Sequence, residues 1–473
     1  MLFIKKHWIA CLMIAFVLYV LIGAMAPFAN YKKLLPETAA SVNVESFFEE
    51  PTEGERAAIL ETGDSAWEER IRLMNGAEER IVLSTFDMRE GQSTEDILSV
   101  ILHKAEEGVK VQILVDGISG FLRMEGRPLF YAVSTHPNIE IRLYNPVNIL
   151  LPWRLQGRMH DKYIMVDYQA YMIGGRNTFD YFIGSYEQEH NSLDREVLIY
   201  NTKPDQPGSM AHLEAYFDAV WNSEYCRDFH EDERLAKHPK VMEQTEKLEE
   251  RYKYLTSNFP ELFSDYDYRA ATVPIEGVEL VTNPTGIYGK EPVVFYTLTE
   301  LMKSSEKVDL HTPYIVCNDY MYSRLSETAA SVREAKMVIN SIENGDNIVA
   351  SSDYLRNKPE VLATGFTVYE YDGGTSTHGK SITMDEDISV VGSYNFDLRS
   401  TYMDTETMLV VKSKELAKEL QGNMDILEAD CRKVIDETNY EVPEHVTVRP
   451  VSAGRRALMK LIGFVLSPFR YVI

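Results

Sequence analysis

An eighteen-residue pattern occurs twice in this chain. Residues 160–177 read HDKYIMVDYQAYMIGGRN, and residues 378–395 read HGKSITMDEDISVVGSYN. Each is His-x-Lys, four residues, Asp, six residues, then Gly-(Gly/Ser)-x-Asn, with a His-to-Asn interval of 17 in both copies. Internal similarity of this kind means that one structural unit is used twice. The first copy ends at Asn177 and the second begins only at His378, which predicts two similar halves rather than one continuous domain.

Each copy sits on a strand–turn–strand pattern, Tyr163 to Val166 with Tyr171 to Ile173, and Ile382 to Met384 with Ser389 to Val391. Strand alternation puts His160 and Lys162 on one face, and likewise His378 and Lys380. Displacement at a phosphodiester needs a nucleophile, an acid for the leaving alkoxide, and donors around oxygens that gain charge. Two imidazoles meet the first two needs, since a neutral His attacks and a protonated one donates. Lys162, Lys380, Asn177 and Asn395 supply the donors, which predicts a site that uses no metal and no other cofactor. Glu196 in DREVLIY and Glu406 in DTETMLVV each follow a motif on what reads as the next strand. They are the candidates to hold an imidazole Nδ1–H, the alternative being a strand-edge salt bridge. Asp167 and Asp385 are expected to brace the turns.

The surrounding chain alternates helix and strand, which predicts an α/β fold of two similar mixed-sheet halves. The first series runs through a helix at 65–75, a strand at 80–88, a helix at 96–107 and strands at 110–116 and 139–145. The second runs through a strand at 278–282, a helix at 292–303 and strands at 307–314, 336–341 and 366–371. The expected organisation is an anchor at 1–33, a spacer at 34–56, a first half at 57–206, a helical connection at 207–275, a second half at 276–440 and a tail at 441–473.

Trp8 to Ala29 is an unbroken apolar or small run. It exceeds the roughly 20 residues that span a bilayer core as a helix. Ala24-Met25-Ala26 offers a signal-peptidase reading, but Pro27 and the length favour a retained single-pass anchor. Lys5 and Lys6 before the run and Lys32 and Lys33 after it leave a slight bias toward an extracytoplasmic body. Charge is segregated as well. Residues 1–33 and 452–473 hold four bases each and no acid. Removing those eight bases leaves 40 against 73 acids, a body of −33. Such a body repels nucleic acid, whereas its basic ends suit an anionic lipid surface. Leu458, Leu461, Ile462, Val465 and Leu466 form one helical stripe beside Arg455, Arg456 and Lys460, which reads as an interfacial helix or as one docked on the core. The apolar stretch PVNILLPWRLQGR (146–158), with Trp153 and Arg154, leads into His160 and is a candidate lipid-contacting loop.

The paired motifs resemble those of the phospholipase D superfamily, in which two such halves form a pseudo-dimer around one active site. HPNIEIRLYNP, RMHDKYIMVD, GGRNTFDYFIG, VGSYNFDLRSTYMDTE and the tail LIGFVLSPFRYVI further resemble bacterial cardiolipin synthases, most closely the short variety. The resemblance implies a membrane-bound phosphatidyltransferase working through a phosphohistidine. His160 would be the nucleophile and His378 the general acid, with phosphatidylglycerol and a donor phospholipid as substrates. The short variety is associated with phosphatidylethanolamine as donor and with a helper protein. Longer members open with two membrane helices, and this chain shows one. A hydrolytic phospholipase D would share every one of these residues, and a superfamily nuclease would share the motifs.

Overall fold

Apolar strands bounded by turns, with amphipathic helices between them, assemble into two nine-stranded mixed sheets. The computed structural model describes residues 7–49, 52–186, 191–206, 208–448 and 450–473, with the backbone alone at Glu233. Lys5 and Lys6 lie outside the described residues.

The two sheets repeat one order. In the first, Glu55–Leu60, Glu196–Asn201, Ala170–Gly174, Tyr163–Val166, Arg80–Thr85, Lys110–Asp116, Ile139–Tyr144 and Cys226–Asp228 lie side by side. The second repeats this as Gly277–Thr282, Thr407–Lys412, Ile388–Gly392, Ser381–Met384, Lys307–His311, Glu334–Asn340, Thr367–Tyr371 and Cys431–Val434. Three central strands are parallel in each sheet, and the motif hairpin is antiparallel to them. Both histidines thus precede hairpins that begin at the carboxyl ends of the parallel strands.

The halves are joined through apolar packing. Ile173, Val197 and Ile199 of the first sheet share a core with Val391, Leu409 and Val411 of the second, flanked by Phe217 and Leu420 from helices Met210–Trp221 and Lys414–Glu428. Segment 207–275 is more than a connection. It adds the edge strands Cys226–Asp228 and Val273–Pro274 to the first sheet, and its helix Pro239–Asn258 packs on Gln92–Glu106 and Pro128–Ser134.

Helix Trp8–Met25 continues as a turn through Phe28 and is long and apolar enough to cross a membrane. Its flank rests on the first half, where Tyr19 Oη donates to the Leu150 carbonyl at 2.7 Å and Gly23 abuts Pro152. Its exit is built into the second half, with Phe28 buried in that core.

The C-terminal helix Ala453–Leu466 docks through Met459 and Gly463, two positions outside the stripe picked out in the sequence. Met459 is fully buried in the second core, and Gly463 sits against the Ser352 carbonyl. Arg470 then pairs with Asp353 at 2.6 Å. Burying a Met side chain is worth about 2–5 kcal/mol against alanine. Deleting 452–473 is therefore expected to lower the melting temperature in detergent by roughly 5–10 °C. An unchanged melting curve would show that the docking contributes nothing to the fold.

Candidate active site

The motif glycines have a packing reason. A Cβ on Gly174 would lie 2.3 Å from Glu196 Cγ, and one on Gly392 would lie 2.2 Å from the Thr407 carbonyl. The neighbouring strand can press against the hairpin only where there is no side chain. The residues just before that strand carry the group that meets an imidazole, and they do so across the two halves.

His160 Nδ1 lies 2.9 Å from Glu406 Oε1, and His378 Nδ1 lies 2.7 Å from Asp194 Oδ2. Each histidine is thus held at Nδ1 by a carboxyl group from the opposite half. Backbone pairing fixes the crossing, since Met159 bridges to Thr405 and the short strand Ser376–Thr377 pairs with Ser192–Leu193.

Glu196 meets no imidazole among the described residues, which corrects the expectation for that residue. It is buried in a two-point ion pair with Arg70, 2.7 Å at both oxygens. The reason lies in the register. Gly174 pairs with Glu196 and Gly392 with Met408, so the sheet aligns Glu196 with Met408 and Asp194 with Glu406. The shared D-x-E of 194–196 and 404–406 is offset by two positions and does not mark equivalent places. Asp194 was missed for this reason, and counting back from the motif glycine along the sheet would have found it.

Lys162 and Lys380 are buried beneath the histidines. Lys162 Nζ donates to the His160 carbonyl, and Lys380 Nζ donates to the His378 carbonyl and lies 2.8 Å from Nδ1 and 3.0 Å from Nε2 of that ring. No partner of His160 Nε2 is found among the described residues. Asn177 Oδ1 accepts from the Asp87 amide at 3.3 Å, and buried Asn395 Oδ1 has no partner among them. Asn177 and His378 line one cavity of about 810 Å³ with Phe86, Phe182, Tyr314 and Asp346. Asp167 and Asp385 sit at the far ends of the hairpins. Both have positive φ, +49° and +51°, and their carboxylates accept backbone amides of residues 78–80 and 306–307.

Electrostatics distinguish the two histidines. Burial and then the Lys162 ammonium hold His160 well below the usual imidazole range. Burial pushes its partner Glu406 up to about 8, so near neutral pH that pair carries little charge. Asp194 is also buried, but Lys380, the His378 hydrogen bond and Arg176 outweigh burial and keep it ionised. Burial and Lys380 lower His378 while ionised Asp194 opposes them. Of the two imidazoles, His378 is the one whose Nδ1 faces an ionised carboxylate. Burial also lowers Lys162 to about 7 and Lys380 to about 8. An anion placed beside either ammonium would favour its charged form.

Outside the site, Asp309, His311 and Glu428 have metal-ligand spacing. Lys336 already supplies the cation, 2.6 Å from Asp309 Oδ2 and bonded to Glu428, and burial depresses His311 to about 3.

A family model described as "Cardiolipin synthase, PLD-like domain" matches residues 71–221 and 297–427. Cardiolipin synthase C of Escherichia coli is 25% identical over 395 residues, 76% of this chain and 82% of that protein. Cardiolipin synthase 1 of Staphylococcus epidermidis is 22% identical over 424 residues, 88% and 75% respectively. Among solved structures, phosphatidylserine synthase of Haemophilus influenzae superposes with a TM-score of 0.64 at 15% identity, covering 92% of this chain and 99% of that one. That likeness is one of fold.

Proposed function

The chain belongs to the family of cardiolipin synthase, phospholipase D-like domains, and on that premise we propose that it joins two phospholipids into cardiolipin at a membrane. It is an enzyme of the phospholipase D superfamily that acts on phospholipids. The observation that carries the finer reading is the pair of imidazoles, each with Nδ1 held across the halves and one with an Nε2 that no described residue engages.

His160 Nε2 attacks the phosphorus of a donor phospholipid, and the bond from phosphorus to the head-group oxygen breaks. His378 gives its proton to the departing alkoxide. Lys162, Lys380, Asn177 and Asn395 hold the non-bridging oxygens throughout. In the second half-reaction the primary hydroxyl of phosphatidylglycerol loses its proton to His378 and attacks phosphorus. The phosphorus–nitrogen bond breaks, cardiolipin leaves, and both histidines return to their first states. Glu406 and Asp194 act by positioning the rings. Trp8–Phe28 would tether the enzyme to its substrates as a single-pass anchor.

Lipid analysis of a cardiolipin-deficient host expressing the chain tests this. Cardiolipin is the expected product, and phosphatidic acid alone would mean that water resolves the intermediate. Because two lysines already supply positive charge, turnover is expected to survive EDTA. Activity lost to EDTA and restored by a divalent ion would contradict the mechanism.

A further inference from the structure

The two halves differ most at one place. The path from the end of the third parallel strand to the motif histidine runs from Tyr144 to His160 in the first half and only from Tyr371 to His378 in the second. The extra length falls in the apolar loop at 146–158. Ile149 and Leu150 there are 51% and 65% exposed, and the loop is braced on the anchor helix through Leu150 and Pro152.

Two other exposed apolar surfaces share this end of the strands. Phe121 and Leu122 lie on a helical turn that begins at Gly117, against Asn145 and Pro146. In the second half, the docked helix Ala453–Leu466 turns Leu461 and Phe464 outward, 58% and 69% exposed. The chain leaving the anchor at 29–34 meets the segment after that helix around a cavity lined by Tyr31, Tyr402 and Tyr471. The anchor is therefore gripped by both halves, and the apolar surfaces flank its exit.

We propose that these surfaces form one bilayer-contacting face, with the loop at 146–158 inserted into the interface beside His160. The occupant is an anionic lipid bilayer. Continuity with the anchor argues for it, as do the exposed bases Lys32, Lys33, Arg455, Arg456 and Lys460 on a body otherwise of −33. A lipid could then present its phosphate to the histidines while its acyl chains stay in the membrane. The face rests on the membrane tethering proposed above and not on the identity of the reaction.

The test uses the full chain carrying Cys11→Ser, since Cys226, Cys317 and Cys431 are buried. Single cysteines replace Leu150 or Leu461, and exposed Gln169 or Glu386 in the motif turns at the opposite end of the sheets. Each variant bears an environment-sensitive fluorophore and is reconstituted in phosphatidylcholine–phosphatidylglycerol vesicles with a lipid-borne quencher. Probes at 150 and 461 are expected to shift to the blue and lose about half their emission or more, as interfacial side chains do, while those at 169 and 386 do not. Identical behaviour at all four positions would overturn the face. Turnover measured in the same vesicles separates the two failures, because intact catalysis with unquenched probes sinks the face alone.

Discussion

On the proposed mechanism, His160→Ala is expected to abolish the covalent intermediate and lower turnover by about 10⁴-fold or more, as loss of a nucleophile that acts with its partners as a unit does. His378→Ala removes an acid worth about 10²–10⁴. The two variants separate with a phosphodiester whose leaving group needs no proton, such as a p-nitrophenyl ester. In His378→Ala such a substrate still transfers its phosphoryl group to His160 and gives a burst of nitrophenol. In His160→Ala it gives none. The expectation follows from the His160 Nε2 that no described residue engages and from ionised Asp194 at His378 Nδ1, which favours the protonated ring. A phosphoenzyme labelled on His378, or a burst in His160→Ala, would reverse the roles.

The carboxyl partners are expected to differ as much as the histidines do. Ionised Asp194 raises the affinity of His378 for its proton, so Asp194→Asn lowers it. Turnover that requires protonated His378 is then lost from the alkaline side, and the falling limb of the pH profile moves to lower pH. At pH 7–8 the loss should reach about 10²–10⁴, the worth of a general acid. Glu406→Gln should behave differently. With Glu406 pushed up to about 8, the wild-type group is largely neutral at pH 7, and its carbonyl can accept the His160 Nδ1–H. A glutamine carbonyl can do the same while its amide donates toward Ser393, another partner of this carboxyl. The loss at pH 7 is expected to be under about tenfold, since one neutral hydrogen bond is kept. Equal damage from both substitutions across pH 6–8 would refute the charge assignment.

The repeat, the strands that carry it and the His, Lys and Asn sets were legible in the sequence because each is local. Alternation along a strand and a shared His-to-Asn interval are properties of the chain alone. The apolar span at 8–29 was legible for the same reason. The carboxyl partners were not. The stretch from Asn177 to Asp194 is longer than the one from Asn395 to Glu406, so the two partners do not fall at matching intervals after their motifs. Residues two apart share a strand face, so alternation could not choose between Asp194 and Glu196. Sheet register made that choice, and packing of one sheet on the other carried each carboxyl group to the opposite half's histidine. The terminal helix shows the same limit. Its hydrophobic stripe was visible, but which side docks depended on Gly463 fitting the Ser352 carbonyl and Met459 fitting the second core. Periodicity along one segment determines which side chains travel together, and only contact with a surface made elsewhere in the chain decides what they face.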